Sequence, residues 1–126
     1  MGAPSVAVHI VEDDDSVRRG LERLMRSMGI ESVTYGSAEE FLDQFRQAGA
    51  SCILMDITMP RMNGLELAAK IRERGITSPI IAISARDDEE TRQVSHNLGV
   101  DFYLRKPVDD QALIDAINWV TRHLPV

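Results

Sequence analysis

Asp56 occupies the position in this chain that most favours chemistry. It directly follows the apolar run Ile53–Met55 and comes before a turn rich in Pro, Asn and Gly at residues 57–64. An apolar run that ends on a carboxylate predicts a buried strand with an acid at its carboxyl-terminal tip. Because open parallel sheets bind ligands in the crevice outside those tips, we expect Asp56 to face a reaction site.

Other polar residues follow apolar runs in the same way. The acidic run Glu12–Asp15 follows Val6–Val11, and Ser84 and Lys106 each end a further apolar run. If all of these runs are parallel strands, the polar residues meet at one edge of the sheet. The pattern therefore predicts one shared site, although a surface ammonium and a strand-ending hydroxyl would each be the simpler interpretation if taken separately.

The acids favour a particular metal. If the first and third strands are neighbours, the carboxylates of Glu12, Asp13 and Asp56 lie together. Hard oxygen ligands without a nearby His or Cys suit Mg²⁺ better than a transition metal. Taken alone, Glu12–Asp15 fits equally well with a helix cap in a solvated loop, and it is Asp56 that favours the metal site.

These residues together could capture a phosphoryl group. An aspartate can attack phosphorus when cations neutralise the phosphoryl oxygens. Mg²⁺ and Lys106 would supply that charge, and the Ser84 hydroxyl could donate to a phosphoryl oxygen. The backbone carbonyl of Thr58, two residues after Asp56, could complete the coordination of the metal.

Strands and helices alternate along the chain. The predicted strands are Val6–Val11, Ser32–Tyr35, Cys52–Met55, Ile80–Ile83 and Asp101–Leu104. The predicted helices run from Asp15 or Ser16 to Met28, from Ser37 as N-cap to Gly49, and over Leu65–Arg74, Asp87–Leu98 and Asp109–His123. Strict alternation indicates a doubly wound parallel sheet with helices on both sides.

Two of the predicted helices differ from the others in their apolar residues. The fourth has few apolar residues, chiefly Val94 and Leu98 with Thr91, and an acidic first turn, so we expect it to be weakly held. On the fifth, Leu113, Ile117, Val120 and Leu124 share one face, and Trp119 lies about 120° from the centre of that face. Trp119 is equally compatible with a partner anchor and with packing at the edge of the core.

Composition limits the remaining possibilities. A chain of 126 residues with 44% hydrophobic residues fits one domain over residues 1–126, with a core from about 6 to 123. A net charge of −6 argues against nucleic-acid binding by this segment. Cys52 is the single cysteine, which suggests a small buried hydrophobe in a reducing compartment. No apolar stretch approaches the length of a membrane span, so a soluble, cytoplasmic protein is expected.

Four ordered motifs carry a family resemblance. They are Val8-His9-Ile10-Val11-Glu12-Asp13-Asp14, Met55 to Gly64, Ile83-Ser84-Ala85, and Tyr103-Leu104-Arg105-Lys106-Pro107. On these motifs the chain resembles the CheY-like receiver domains of two-component response regulators, and in particular the FixJ-like subfamily. The resemblance extends from about Val6 to His123.

The resemblance implies a fold and a role for each motif. The fold would be the flavodoxin-like (βα)5 sheet with strand order 2-1-3-4-5. Asp56 would be the phosphoacceptor, and Mg²⁺ would be held by Asp13, Asp56 and the Thr58 carbonyl, with Glu12 reaching the metal through water. Lys106 would support the phosphoryl group, Ser84 and Tyr103 would act as switch residues, and the peptide bond between Lys106 and Pro107 would be cis.

The resemblance also implies a signalling role. The chain would accept a phosphoryl group from a sensor histidine kinase and then change the surface of its fourth helix, fifth strand and fifth helix to control an output such as transcription. A homodimer could form through that same surface. It would be no enzyme beyond its own phosphorylation and dephosphorylation. Glu12 and Ser84 stand where Asp and Thr are commoner in the family, and with Thr58 and Arg86 they could alter metal affinity or phosphoryl lifetime.

Three alternatives remain to be weighed. A haloacid-dehalogenase-type phosphatase would need a second acid where this chain has Thr58. A flavodoxin-like FMN carrier would need a first loop that binds phosphate, whereas Glu12–Asp15 would repel one. A phosphorylation-independent pseudo-receiver would keep the fold and act only in dimerisation or protein interaction, and the complete set of site residues argues against it.

Overall fold

The computed structural model describes residues 6–47, 49–86 and 88–122. Strands and helices alternate as predicted. The strands are β1 (Ala7–Val11), β2 (Glu31–Tyr35), β3 (Ser51–Asp56), β4 (Ile80–Ser84) and β5 (Phe102–Arg105). The helices are α1 (Asp15–Ser27), α2 (Ala38–Gln44), α3 (Gly64–Glu73), α4 (Glu89–Asn97) and α5 (Asp110–Arg122).

The five strands form one parallel sheet in the order β2-β1-β3-β4-β5. This confirms the predicted flavodoxin-like strand order. The register aligns Val11 with both Tyr35 and Met55, and Asp56 with Ile83. All strands therefore end at the same side of the sheet, called here the carboxyl edge, and their opposite ends form the amino edge.

The sheet is buried on both faces because its strands alternate apolar side chains between two cores. In β3, Ile53 and Met55 pack with α2 and α3, whereas Cys52 and Leu54 pack with α1 and α5. Each fully buried side chain of this size contributes about 1.5–3 kcal/mol. The two cores hold the strand ends, and with them the polar residues of the carboxyl edge, in fixed positions.

Side-chain caps determine where several helices begin. The Asp14 carboxylate accepts the Val17 N–H, and the Ser37 hydroxyl accepts the Glu40 N–H, as predicted for that helix. Asn63 and Glu66 form a reciprocal capping box. The capping box explains why α3 begins at Gly64, one residue before the predicted start.

Helix α4 buries a different face from the one predicted. Thr91 and Ser95 are its buried residues, whereas Val94 is 38% exposed. The prediction of Val94 as a core contact was wrong, although Leu98 does pack against the core on the α2 and α3 side. The predicted helix start at Asp87, the end at His123 and the apolar residue Leu124 lie outside the described residues.

The structure also bears on the predictions about Cys52 and about membrane-spanning helices. Cys52 is fully buried, and its burial raises the pKa of the thiol to about 12. The thiol therefore stays protonated and unreactive at neutral pH. Within the part of the chain that the structure describes, no helix has the length and apolar character required to cross a membrane.

Candidate functional site

Asp56 is the last residue of β3 and is only 3% exposed. Its Oδ1 atom accepts a hydrogen bond from the Thr58 backbone N–H at 3.0 Å. Its Oδ2 atom lies 2.7 Å from Lys106 Nζ. The carboxylate is thus held on both oxygens by donors that come from two separate strand ends.

The loop after Asp56 depends on a glycine. The Gly64 N–H donates to the Ile57 carbonyl at 2.8 Å and so closes the turn between β3 and α3. A Cβ at Gly64 would lie 2.6 Å from the Asp56 backbone oxygen and 2.7 Å from the Ile57 Cα. Since no other residue fits against the backbone there, Gly64 is required for the close approach of α3 to the acid.

Lys106 joins the ends of β1 and β3. Its Nζ also donates to Glu12 Oε1 at 3.2 Å, and Glu12 is only 1% exposed. Burial and then the Asp56 charge raise the pKa of Glu12 to about 7. Burial alone would lower the pKa of Lys106, but the hydrogen bond to Asp56 and the charges of both acids raise it above its usual value. Lys106 therefore remains a cation at neutral pH.

The acids form one cluster. One carboxylate oxygen from each of Glu12, Asp13 and Asp56 lies within 4.8 Å of the others, and Asp13 is the exposed member. Lys106 pairs with both Glu12 and Asp56, so one cation lies among three acids. The donor set fits a hard divalent cation, because Mg²⁺ prefers carboxylate oxygens and retains water on its open side. The exposed Asp13 leaves such an open side.

The predicted switch residues converge on the loop after β4. Ser84 is fully buried at the end of β4, and its hydroxyl oxygen accepts the Arg86 N–H at 3.0 Å. The Tyr103 hydroxyl donates to the Arg86 carbonyl at 2.6 Å, and the Arg92 guanidinium lies 5.0 Å from the centre of the Tyr103 ring. Ser84 and Tyr103 are therefore linked through the backbone of a single residue.

The sequence of this chain matches a family model over a range that includes the polar residues of the carboxyl edge. The model of the response regulator receiver domain matches residues 8–118. The chain belongs to this family. The Lys106–Pro107 peptide bond is cis, as the resemblance to the family implied.

Individual receiver-containing proteins are similar over most of this chain. The transcriptional regulatory protein FixJ of Azorhizobium caulinodans is 35% identical over 114 residues, which cover 90% of this chain and 54% of that protein. Nodulation protein W of Bradyrhizobium diazoefficiens is 37% identical over 110 residues, which cover 87% of this chain and 48% of that protein. This receiver domain thus spans about half the length of the curated relatives it matches.

Solved structures show the same fold. The crystal structure of FixJ-N superposes with a TM-score of 0.89 at 28% identity and covers 100% of this chain and 99% of that chain. The response regulator StyR gives a TM-score of 0.87 at 35% identity and covers 94% of this chain and 60% of that chain. The FixJ-like resemblance of this receiver domain is therefore confirmed in sequence and in fold.

The structure brings most of the predicted site residues together. Glu12, Asp13, Asp56 and Lys106 form one cluster, and Thr58 contacts Asp56 through its N–H. The predicted role of the Thr58 carbonyl in metal binding stays a prediction. Arg18 was not predicted, although its guanidinium donates to the Glu12 carbonyl at 2.9 Å. No local sequence pattern signals that contact, because the acceptor is a backbone atom six positions earlier.

Proposed function

We propose that this receiver domain accepts a phosphoryl group from a sensor histidine kinase onto Asp56. The observation that carries the proposal is the setting of the Asp56 carboxylate. It is buried, held by the Thr58 N–H and by Lys106 Nζ, and placed beside two further acids. A carboxylate fixed in this way is a pre-organised nucleophile, since little reorganisation is needed before it attacks.

The transfer is a displacement at phosphorus. A carboxylate oxygen of Asp56 forms a bond to phosphorus while the bond between phosphorus and the kinase imidazole nitrogen breaks, and the nitrogen keeps the electron pair. Lys106 Nζ stays near the acceptor and offsets negative charge on the phosphoryl oxygens. Mg²⁺ held by Asp13, Asp56 and the Thr58 carbonyl, and by Glu12 through water, would neutralise the remaining charge.

The product would act as a switch by shifting the domain between two packings. The Ser84 hydroxyl would donate to a phosphoryl oxygen and so change its contact with the Arg86 N–H. Because Tyr103 bonds to the carbonyl of the same residue, a movement of Arg86 would reach both β5 and α4. We infer that α4, β5 and α5 form the output surface.

The output surface offers contacts for a second protein. Trp119 is 49% exposed and packs edge-on against Phe102 at 5.4 Å, so both predicted roles, anchor and edge packing, are compatible with its setting. The exposed Val94 lies on α4. We propose homodimerisation through this surface, and control of transcription because FixJ is named a transcriptional regulatory protein. The domain would be a signalling phosphoacceptor rather than an enzyme acting on an external substrate.

Intact-mass spectrometry after acid quenching tests the proposal. The protein is incubated with acetyl phosphate and Mg²⁺ and compared with Asp56→Asn, with Asp43→Asn as a control in which an exposed aspartate of α2 is changed in the same way. We expect one phosphoryl adduct on the wild type and on the Asp43 variant. We expect none on the Asp56 variant or with EDTA.

The same experiment identifies the alternative. If the wild type gains no adduct even at the shortest times, and if beryllofluoride with Mg²⁺ does not bind, the phosphoacceptor proposal is wrong. The domain would then act as a pseudo-receiver that interacts with partners without phosphorylation.

A further inference from the structure

Arg18 reaches from α1 to the backbone of the acid-bearing loop. Its Nη1 atom donates to the Glu12 carbonyl at 2.9 Å, and its Nη2 atom pairs with the Asp15 carboxylate. The side chain is 21% exposed. The planar guanidinium thus bridges the first residue of the loop and the first residue of α1, a geometry that a single ammonium cannot reproduce.

The Glu12 peptide is held at the point where the sheet ends. The Glu12 N–H still donates to the Tyr35 carbonyl at 3.1 Å, as a continuation of the ladder between β1 and β2. Strand β2 ends at Tyr35, and Arg18 supplies the donor for the Glu12 carbonyl. Since a peptide unit is planar, fixing the Glu12 carbonyl also fixes the direction of the Asp13 N–H.

The position of the Asp13 carboxylate depends on the local backbone more than the positions of the other two carboxylates do. The Glu12 carboxylate is held by the Asp14 N–H and by Lys106, and the Asp56 carboxylate by the Thr58 N–H and Lys106. The Asp13 side chain is exposed and has no hydrogen-bond partner among the residues that the structure describes. Its position in the cluster is therefore set by the peptide that precedes it.

We propose that Arg18 is a positioning residue that holds Asp13 ready to bind a divalent cation. The inference rests on the proposed metal-dependent function of the same site. Arg18 would contact neither the cation nor the phosphoryl group and would act through the Glu12–Asp13 peptide. A partner that orients a ligand in this way typically changes metal affinity by about 10- to 100-fold when it is removed.

Loss of the Arg18 charge and loss of its positioning effect would change the Mg²⁺ affinity in opposite directions. The guanidinium is a positive charge next to a cation site, so its removal by Coulomb's law alone should tighten the binding of Mg²⁺. Loss of positioning should weaken the binding instead. The direction of the change in affinity therefore separates the two effects.

The test is calorimetric titration of the whole chain with Mg²⁺ alone. We expect Arg18→Gln to weaken binding by about tenfold and Arg18→Lys, which keeps the charge and loses the fork, to weaken it by a smaller factor. Arg19→Gln is the matched control, because Arg19 is an exposed neighbour on α1. We expect that control to leave affinity unchanged or slightly tighter.

A second readout needs no metal. In EDTA, Arg18→Gln should speed amide hydrogen exchange at Asp13 and Asp14 and leave the amides of β3 unchanged. Unchanged or tighter Mg²⁺ binding by Arg18→Gln would overturn the inference, and so would unchanged exchange at Asp13. A lower urea midpoint with normal Mg²⁺ affinity would also overturn it, because the role of Arg18 would then be structural only.

Failure of the proposed function gives a different result. If the wild type itself binds no Mg²⁺, the metal-dependent function is wrong whatever the Arg18 variants do. If the wild type binds Mg²⁺ and the Arg18 variants bind it equally well, only the inference about Arg18 fails. Should Arg18→Gln not fold, Arg18→Lys carries both measurements.

Discussion

Two buried carboxylates share one ammonium at the carboxyl edge. Lys106 lies within hydrogen-bonding distance of both Glu12 and Asp56, and Asp13 adds a third acid nearby. Burial, and after it the charge of Asp56, raise the pKa of Glu12 to about 7. A divalent cation bound to the three acids would offset part of this negative charge.

The role of Lys106 among these acids leads to a first prediction. Lys106→Met removes the donor that holds two buried acids, and we expect the metal-free protein to lose about 1–3 kcal/mol of unfolding free energy, because a buried group left without its hydrogen-bond partner costs about that much. Mg²⁺ should restore much of that loss and should bind more tightly, since no ammonium competes with it. Urea unfolding in EDTA and in Mg²⁺ measures both effects. Equal midpoints for the variant and the wild type in EDTA would contradict the prediction.

His9 gives a pH-dependent prediction away from the metal site. Its Nδ1 atom lies 2.9 Å from the Tyr35 hydroxyl, and its ring packs edge-on against Phe45. Burial lowers the pKa of His9 below 6.5, although the charge of Glu31 acts in the opposite direction. The unfolded chain therefore binds the proton more readily, so the stability that neutral His9 provides is present above pH 6.5 and is lost as the pH falls through the folded pKa.

His9→Phe tests this pH dependence. The variant keeps an aromatic ring and has no titrating group, so its urea midpoint should fall less than that of the wild type between about pH 6.5 and pH 5. Glu12 titrates in an overlapping range with the opposite sign, but it is common to both proteins and cancels in the difference. Tyr35→Phe, which keeps the titrating ring, is the control. Parallel midpoints for wild type and His9→Phe would refute the assignment.

Some residues of the candidate site could be predicted from the sequence, whereas others could not. Asp56, Glu12 and Lys106 could be placed in one site because each follows an apolar run, and parallel strands end together. Arg18 could not be placed, since its partner is a main-chain oxygen that carries no residue-specific signal. A side chain that binds backbone becomes predictable only when the path of the chain is known.

Helix α4 shows the same limit at the scale of an element. Val94 and Leu98 are four residues apart and suggested an apolar stripe, but the residues that the helix buries are Thr91 and Ser95, with Leu98 partly buried beyond them. The Ser95 hydroxyl donates to the Thr91 carbonyl at 2.8 Å, so burying it leaves no donor unsatisfied. With so few apolar residues, the pattern predicted the helix correctly but not its buried face, and its weak attachment stays a prediction.

The polar buried face of α4 leads to a prediction about local stability. Helix α3 buries Leu67, Ala68 and Ile71, whereas α4 buries mainly Thr91 and Ser95. Less apolar burial means a lower free energy of local opening, so backbone amides of α4 should exchange with solvent faster than those of α3. Native-state hydrogen exchange by NMR measures this directly. Equal protection of the two helices would show that α4 is not the weakly held element on which the proposed switch depends.

At the scale of the whole molecule, the two ends of α4 have different attachments. Beyond its last turn, Arg72 of α3 donates to the Gly99 carbonyl at 2.8 Å and also to the Ile76 and Ser78 carbonyls, both at 2.9 Å. Gly99 has a φ of +83°, and a Cβ there would lie 3.0 Å from Arg72 Nε, so glycine is needed. Arg72 thus ties the loops of the amino edge together, while the other end of α4 adjoins the loop that contains Ser84 and Arg86.

Arg72→Gln tests whether this tie stabilises the molecule and anchors α4. The variant leaves up to three backbone carbonyls without their donor, and we expect a loss of about 2–4 kcal/mol in unfolding free energy, which urea unfolding measures. Arg72→Lys should recover only part of the loss, because one ammonium cannot reach three separate acceptors. Arg23→Gln, an exposed arginine of α1, should change the midpoint little.

The places along the chain where Arg72→Gln changes hydrogen exchange are as informative as the size of its stability loss. Hydrogen exchange in Arg72→Gln should rise most at residues 76–78 and 98–101, because Arg72 holds backbone carbonyls in both segments, and the amides of β1 should keep their protection. If this tie anchors the carboxyl-terminal end of α4, exchange should also rise at that end of the helix in the variant. A uniform increase over all elements would instead mean that Arg72 contributes to global stability alone, and that α4 is not anchored at the amino edge.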